Sequence, residues 1–240
     1  MESVETRTIM PDSRQQIADN LASVEERLSA ACRRAGRARS EVTLVAVTKT
    51  VSTEVAALLP VLGVHHLGES RPQELWRKAA VVTNVHWHLI GHLQRNKIER
   101  TVPLAECVHS VDSLRLLDAL EEACHRDSCI LPALLEVNAS REETKHGFAP
   151  EDVPGLADRL MELKRVRIEG LMTMATYEED SERTRPTFAA LRRLRDQLSA
   201  ELGRPLPHLS MGMSNDFEIA VEEGATLVRL GTVLFEGVEG

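Results

Sequence analysis

Aromatic residues are nearly missing from this chain, with four phenylalanines, two tryptophans and one tyrosine among 240 residues. So few rings cannot build the stacking platform that single-stranded nucleic acids require. Lysine is also scarce: only five of the 29 basic residues are lysine. No block of like charge is present, and the net charge of −8 opposes a nucleic-acid surface. The four cysteines, Cys32, Cys107, Cys124 and Cys129, form no CxxC pair. No signal peptide opens the chain, so reduced thiols in a cytoplasmic protein are expected. No apolar run approaches the roughly 20 residues that a membrane span needs. No stretch rich in proline, glycine and serine marks a linker between domains.

What is present is an alternation. Residues 1–12 read as a loose leader, and residues 13–240 as one domain. A helix fits Ser13 to Arg37, where Ile17, Leu21, Val24, Leu28 and Ala31 recur at helical spacing and Gly36 marks the end. Eight runs rich in β-branched residues follow, at 42–49, 64–69, 86–90, 107–111, 133–138, 168–175, 208–213 and 227–235. Helical stretches fit between them near 53–62, 71–82, 93–101, 113–125, 151–164, 182–202 and 215–223. Strict βα alternation predicts parallel strands with helices outside. Eight strands predict a single (β/α)8 TIM barrel with an additional N-terminal helix, which would cover the place left by a missing last helix. A doubly wound open sheet is the alternative, but it calls for a Gly-rich first turn and none follows Val47.

Lys49 ends the most apolar of these strands. Thr43, Val45, Val47 and Lys49 share one strand face, and branched residues dominate barrel interiors. Lys49 would therefore point into the barrel mouth. A lysine drawn out of water can lose its proton and attack an aldehyde, which arginine cannot do. The plain alternative is a lysine snorkelling from a strand end into solvent.

Two further regions bear on this. Ser210 to Asp216 closes one strand and opens a helix, with Ser214 or Asn215 as N-cap; a helix start favours an anion, or is simply capped. Asp216 and Glu218 in its first turn would repel a phosphate and should face away. Arg229 to Thr232 places a rigid donor fork on the eighth strand and lets a ligand approach Gly231. The alternative for Arg229 is an ion pair with Glu69 or Glu136. Barrels often bind phosphate with the loops after strands seven and eight, where Ser214, Gly231 and Thr232 would lie. A lysine on strand one beside such a cradle suits an aldehyde with a phosphate handle, such as pyridoxal 5′-phosphate.

The segments Ala46 to Lys49, Leu67 to Ser70, Trp87 to Lys97, Ser210 to Ser214 and Arg229 to Thr232 resemble the pyridoxal phosphate homeostasis protein family. So do Val137-Asn138 through Thr144-Lys145-His146-Gly147, and Gly170 to Met172. That family is similar to the N-terminal barrel of alanine racemase. The resemblance implies a Schiff base between Lys49 and the aldehyde of pyridoxal 5′-phosphate. It implies phosphate contacts from Ser214, Gly231 and Thr232, with backbone donors around Met213. It also implies Arg229 beside the pyridine nitrogen, where it discourages ring protonation and weakens the electron sink. The family carries asparagine then tyrosine after Gly-Glu; here Ser70 and Arg71 stand there, and Ser70 has the shorter reach toward the cofactor.

The remaining residues read more plainly. His65, His66, His86 and His88 are core or rim histidines, since no carboxylate or cysteine completes a metal-ligand spacing. Lys145 is a loop lysine, and Tyr177 lies in the loop after strand six. A racemase needs a second base opposite the cofactor, in alanine racemases a tyrosine from a further domain of the partner chain. The expected function is therefore reversible cofactor binding for homeostasis, by a monomer that serves apo-enzymes, without robust catalysis. The rivals are a pyridoxal-phosphate-dependent amino-acid racemase and a cofactor-free, aldolase-like Schiff-base barrel.

Overall fold

The structure, a computed structural model, describes residues 11–142, 146–176, 178 and 180–238. Eight parallel strands close into a barrel in chain order. They are β1 (Thr43–Val47), β2 (His66–Glu69), β3 (His86–Leu89), β4 (Cys107–Val111), β5 (Leu131–Glu136), β6 (Val166–Met172), β7 (His208–Ser210) and β8 (Leu227–Leu230). Closure is direct: β1 runs beside β8 with Thr43 opposite Leu227 and Ala46 opposite Leu230. The expected barrel is the one observed, and the open sheet is not.

Helices surround the strands. They are α1 (Pro11–Arg34), α2 (Thr53–Ala56), α3 (Leu58–Val61), α4 (Pro72–Ala79), α5 (Ile98–Thr101), α6 (Leu114–Arg126), α7 (Ala157–Met161), α8 (Arg185–Leu202) and α9 (Phe217–Glu222). The apolar stripe of α1 is fully buried at Ile17, Val24, Leu28 and Ala31. Burying each of the larger side chains contributes roughly 1.5–3 kcal/mol. Asn20 on α1 donates to the carbonyls of Leu234 and Glu236, and Arg27 and Arg34 pair with Glu218 and Glu222 of α9. α1 thus covers the flank after β8, where an eighth βα helix would sit.

Strand parity divides the core in two. Leu44, Ala46 and Leu67 pack outward against helices, within the larger cluster. Val45, Cys107, Leu134, Met172 and Leu227 form a separate small cluster. These five come from different strands and fill the barrel interior, as layered side chains do in this architecture.

Some boundaries differ from the sequence expectation. β5 and β6 begin two residues earlier than expected, and β8 stops at Leu230 because Gly231 leaves the extended region (φ −126, ψ −77). The helical stretch at 151–164 opens with 3-10 turns at Pro150 and Pro154, so α7 starts only at Ala157. Proline supplies no N–H, so it begins turns of this kind more readily than it continues a helix. Residues 1–10 of the expected leader, together with Lys145 and Tyr177, lie outside the described residues. Among the described residues no helix is long and apolar enough to cross a membrane.

Candidate functional site

The mouth of the barrel is built at two corners. At the first, β1 ends at Val47, and Thr48 donates its N–H to Gly68 O at 3.0 Å. A turn follows, closed by Val51 N to Thr48 O at 3.2 Å. Lys49 lies in that turn and is exposed. This corrects the sequence expectation of a strand reaching Lys49; of the two alternatives for its side chain, the solvent-facing one is observed. Lys49 is at the mouth, on the surface of it.

Beneath Lys49 the corner is fixed by buried charge. Lys78 of α4 donates to Thr48 O at 2.5 Å and to Glu69 Oε1 at 2.6 Å, with both charged side chains almost fully buried. The Thr48 hydroxyl donates to the same Glu69 oxygen at 2.6 Å. Glu69 Oε2 has no hydrogen-bond partner among the described residues. Lys78 is a functional neighbour that sequence reasoning missed. The signal was present: Pro72, Leu75 and Lys78 recur every three residues along α4, and all three are buried. Ser70, half-buried, follows β2 directly; its carbonyl lies so close to Gly91 that a Cβ there would sit 2.2 Å from it.

The second corner is fixed by backbone. Gly212 has φ +91, and a Cβ there would meet Ala220 Cβ at 2.5 Å. Only glycine suits both conditions. The chain then makes an extra turn, with Asp216 N and Phe217 N bonded to Met213 O. α9 therefore begins at Phe217 with Asp216 at the N-cap position, and neither Ser214 nor Asn215 caps it. The Asp216 carboxylate turns back to accept Met213 N–H at 2.7 Å, which removes that amide from the free donors expected there. Glu218 faces away, paired with Arg27. Ser214 Oγ accepts Gly231 N–H and Val233 N–H, each at 3.4 Å, near the limit of a hydrogen bond. Two backbone donors from the turn after β8 thus converge on one hydroxyl. Thr232 is exposed in the same turn. A Cβ on Gly231 would lie 3.1 Å from Val47 O, so this donor cluster packs against the end of β1, two residues before Lys49.

Arg229 joins the corners from below. Its side chain is buried and donates to Ser210 Oγ at 2.6 Å and to Thr173 O at 2.9 Å. It makes no ion pair with Glu69, which belongs to Lys78, nor with Glu136 among the described residues. Burial pulls its pKa down to about 10, against the favourable fields of Asp216 and Glu136. Glu136, at the end of β5, is pushed up to about 7 by burial and then by Asp112, with Arg229 and His92 opposing.

Below Arg229 the barrel axis is lined by imidazoles. His66 Nδ1 meets His88 Nε2 at 2.9 Å, His88 Nδ1 meets His109 Nε2 at 2.9 Å, and His109 Nδ1 meets Ser210 Oγ at 2.9 Å. His88 is in the core, while His65 and His86 are at the rim. His109 was not singled out by the sequence, although Cys107, His109 and Val111 alternate on one face of β4. The fold also brings Cys107 beside His88 and His109, with ligand-type atoms within 4.8 Å of one another, a group that sequence spacing did not reveal. His92, Asp112 and His146 form a second such group.

Lys49, Ser214, Gly231 and Arg229 are therefore brought to one mouth, Thr232 lies at its rim, Met213 has its amide occupied, and Ser70 sits on the other side of β1. An exposed amine beside converging N–H donors and a buried cation can take a carbonyl compound that carries an anionic group.

Comparisons with known proteins bear on the family and the fold. Residues 19–238 match the family described as "Alanine racemase, N-terminal domain". The "Pyridoxal phosphate homeostasis protein" of Aquifex aeolicus is 42% identical over 219 residues, covering 90% of this chain and 96% of its own. That of Pseudomonas aeruginosa is 42% identical over 224 residues, covering 91% and 94%. The structure of PipY from Synechococcus elongatus PCC7942 with PLP bound superposes with a TM-score of 0.80 at 33% identity, covering 91% of this chain and 99% of that one. With a family match along nearly its whole barrel and such identity to relatives of the same length, the chain belongs to the alanine racemase N-terminal domain family and, within it, to the pyridoxal phosphate homeostasis proteins.

Proposed function

We propose that this protein binds pyridoxal 5′-phosphate reversibly as a Schiff base on Lys49 and serves cofactor homeostasis, by buffering it or delivering it to apo-enzymes. The observation that carries this reading is the packing of Gly231 on the end of β1, which sets the donors of the β8 turn beside the lysine. The named relatives and the PLP-bound structure of a 33% identical neighbour support it. Bound there, the cofactor supplies an aldehyde that condenses reversibly with an amine. Lys49, held in an exposed turn above the buried Lys78–Glu69 pair, is the amine. Ser214, Gly231 and Thr232 hold the phosphate, with the Met213 segment as their backbone frame. Arg229, which can only donate, faces the pyridine nitrogen and opposes its protonation. Ser70 lines the opposite wall with a short hydroxyl.

This arrangement supports a carrier, not an enzyme. An arginine at the ring nitrogen weakens the electron sink that racemisation exploits. Residues 13–240 act as one unit, as a cytoplasmic monomer.

The test is absorbance and intact mass after adding pyridoxal 5′-phosphate. The wild-type chain takes up one equivalent with a near-visible band; Lys49→Ala does not. A wild-type chain that stays colourless and unmodified would sink the reading. Amino-acid racemisation above the free-cofactor background, lost in Lys49→Ala, would replace the carrier with an enzyme.

A further inference from the structure

We propose that His66, His88, His109 and Ser210 form a proton path along the barrel axis, joining solvent at the base of the barrel to Arg229 at its mouth. Three successive contacts of 2.9 Å link the four side chains, and Arg229 closes the row with a donation to Ser210 at 2.6 Å. Among the described residues the three rings bond to one another and to Ser210, not to backbone carbonyls. A histidine kept only for packing more commonly rests on the nearest peptide group. Both nitrogens of His88 and both of His109 are engaged in the row, which leaves neither ring a lone pair for a metal shared with Cys107.

The base end is open. His66 is half-buried and lines a cavity of about 550 Å³ together with Thr43, His65 and His86. Its ring stacks on His86 with centroids 4.7 Å apart, and His86 meets Glu106 at 3.4 Å. The charged groups facing each member are few. Burial, then His86, lowers the pKa of His66, with Glu106 opposing and His65 adding to the fall. Burial brings His88 down to about 3, helped by His66, His86 and His208. Burial also holds His109 well below the usual imidazole range, helped by His88, Arg229 and His208. Cys107 stays a thiol, raised by burial and by Glu169 and Glu106. The inner rings are thus neutral at physiological pH.

Neutrality makes the row directional. A neutral imidazole has one N–H and one lone pair. Both contacts of His88 can be hydrogen bonds only if all three rings point the same way. Arg229 can only donate, so Ser210 Oγ accepts from it. When the rings carry Nδ1–H, His109 also donates to Ser210, and the serine hydroxyl proton is free for the mouth. A proton added at His66 Nε2 then moves the row by one step. His66 Nδ1–H passes to His88 Nε2, His88 Nδ1–H to His109 Nε2, His109 Nδ1–H to Ser210 Oγ, and the serine proton to a base at the mouth. One proton goes in and one comes out, and every ring is left as Nε2–H. The reverse passage resets it; water at the base supplies the proton and the base at the mouth takes one up.

The path is a property of the apo-protein; only the identity of the base at the mouth rests on the proposed function. The test has two arms. In the first, ¹⁵N-histidine-labelled apo-protein is examined by long-range ¹H–¹⁵N correlation at neutral pH. His88 and His109 are expected neutral and in the same tautomer, and H66F at the half-buried base is expected to change the tautomer balance of His109, two rings away. Opposite tautomers in the wild type, or a His109 indifferent to H66F, overturn the path. In the second, protein loaded with pyridoxal 5′-phosphate is given a stopped-flow pH jump and the cofactor absorbance is followed. H66F slows the response about a hundred-fold, the lower end of the scale on which positioned proton donors act; an unchanged rate overturns the path. If the wild type takes up no cofactor, the proposed function fails and the first arm still decides the path.

Discussion

The β1–β2 corner and the β7–β8 corner of the mouth hold their functional groups by different means. The first uses charge: Lys78 of α4, Glu69 of β2 and Thr48, just past β1, meet below Lys49. The second uses backbone: Gly212 at φ +91, the turn at Met213 and the close approach of Gly231 to Val47 place the N–H groups directly. A buried ion pair fixes position only while both partners are present, because either one alone is an uncompensated charge. A backbone cradle has no such dependence. The first corner should therefore fail through stability, and the second through affinity.

Removing one partner from the first corner gives the largest effect. Lys78→Ala leaves Glu69 buried and charged, at a cost of about 3–5 kcal/mol. For a domain of this size that lowers Tm by roughly 10 °C. Replacing both partners, Lys78→Met with Glu69→Leu, should restore most of the loss, since apolar isosteres of a buried pair are often neutral or better. Differential scanning calorimetry of the three variants decides this. A single variant as stable as the wild type would show that charge is not what holds the corner.

The same contrast sets what could be read from the sequence. The eight strands were legible because each is a short, almost wholly buried run set between helical stretches, and inward Val45 follows from strand parity alone. The β7–β8 corner was legible as a local run, Ser210 to Ser214 with Arg229 to Thr232, because neighbours in sequence supply it. Its details were not: after Gly212 at positive φ the chain makes an extra turn, and the cap position moves from Ser214 or Asn215 to Asp216, a backbone choice that letters do not display. Lys78 and Glu69 are nine residues apart on different elements, and only the packing of α4 on β2 brings their charges together. For Lys49 the sequence leaves open a lysine withdrawn from water and one reaching solvent; the strand stops two residues earlier, and the solvent-facing alternative is the one observed. His109 needs three strands in register before it has a partner.

Glu136 tests whether charge matters across the mouth as well. Its pKa in the fold, about 7, lies above its ordinary 4.5. The folded state therefore binds the extra proton, and stability from this group is full below pH 4.5 and lost as pH rises through 7. The loss integrates to about 3 kcal/mol by pH 8. Glu136→Gln should flatten that decline, measured as urea unfolding midpoints between pH 4.5 and 8. A decline of the same size in the variant would assign it to other groups. If it flattens, charge contributes to the mouth opposite the first corner too, and the contrast narrows to the β7–β8 turns alone.

The smallest effect separates the corners most cleanly. Ser214 Oγ accepts two N–H groups at 3.4 Å, where each bond is near its weakest. Ser214→Ala should change Tm by no more than about 2 °C, as half-buried polar substitutions without a strong partner do. For a phosphate drawing on the same hydroxyl and donors, the loss is one hydrogen bond to a charged group, roughly 1.5 kcal/mol. That weakens pyridoxal 5′-phosphate binding about ten-fold. Equilibrium dialysis beside calorimetry reads both numbers on one preparation. An affinity loss at constant Tm places the cost on the ligand, as a backbone cradle requires. A matching fall in stability would mean that Ser214 braces the β8 turn itself, and the second corner would then depend on a side chain just as the first does.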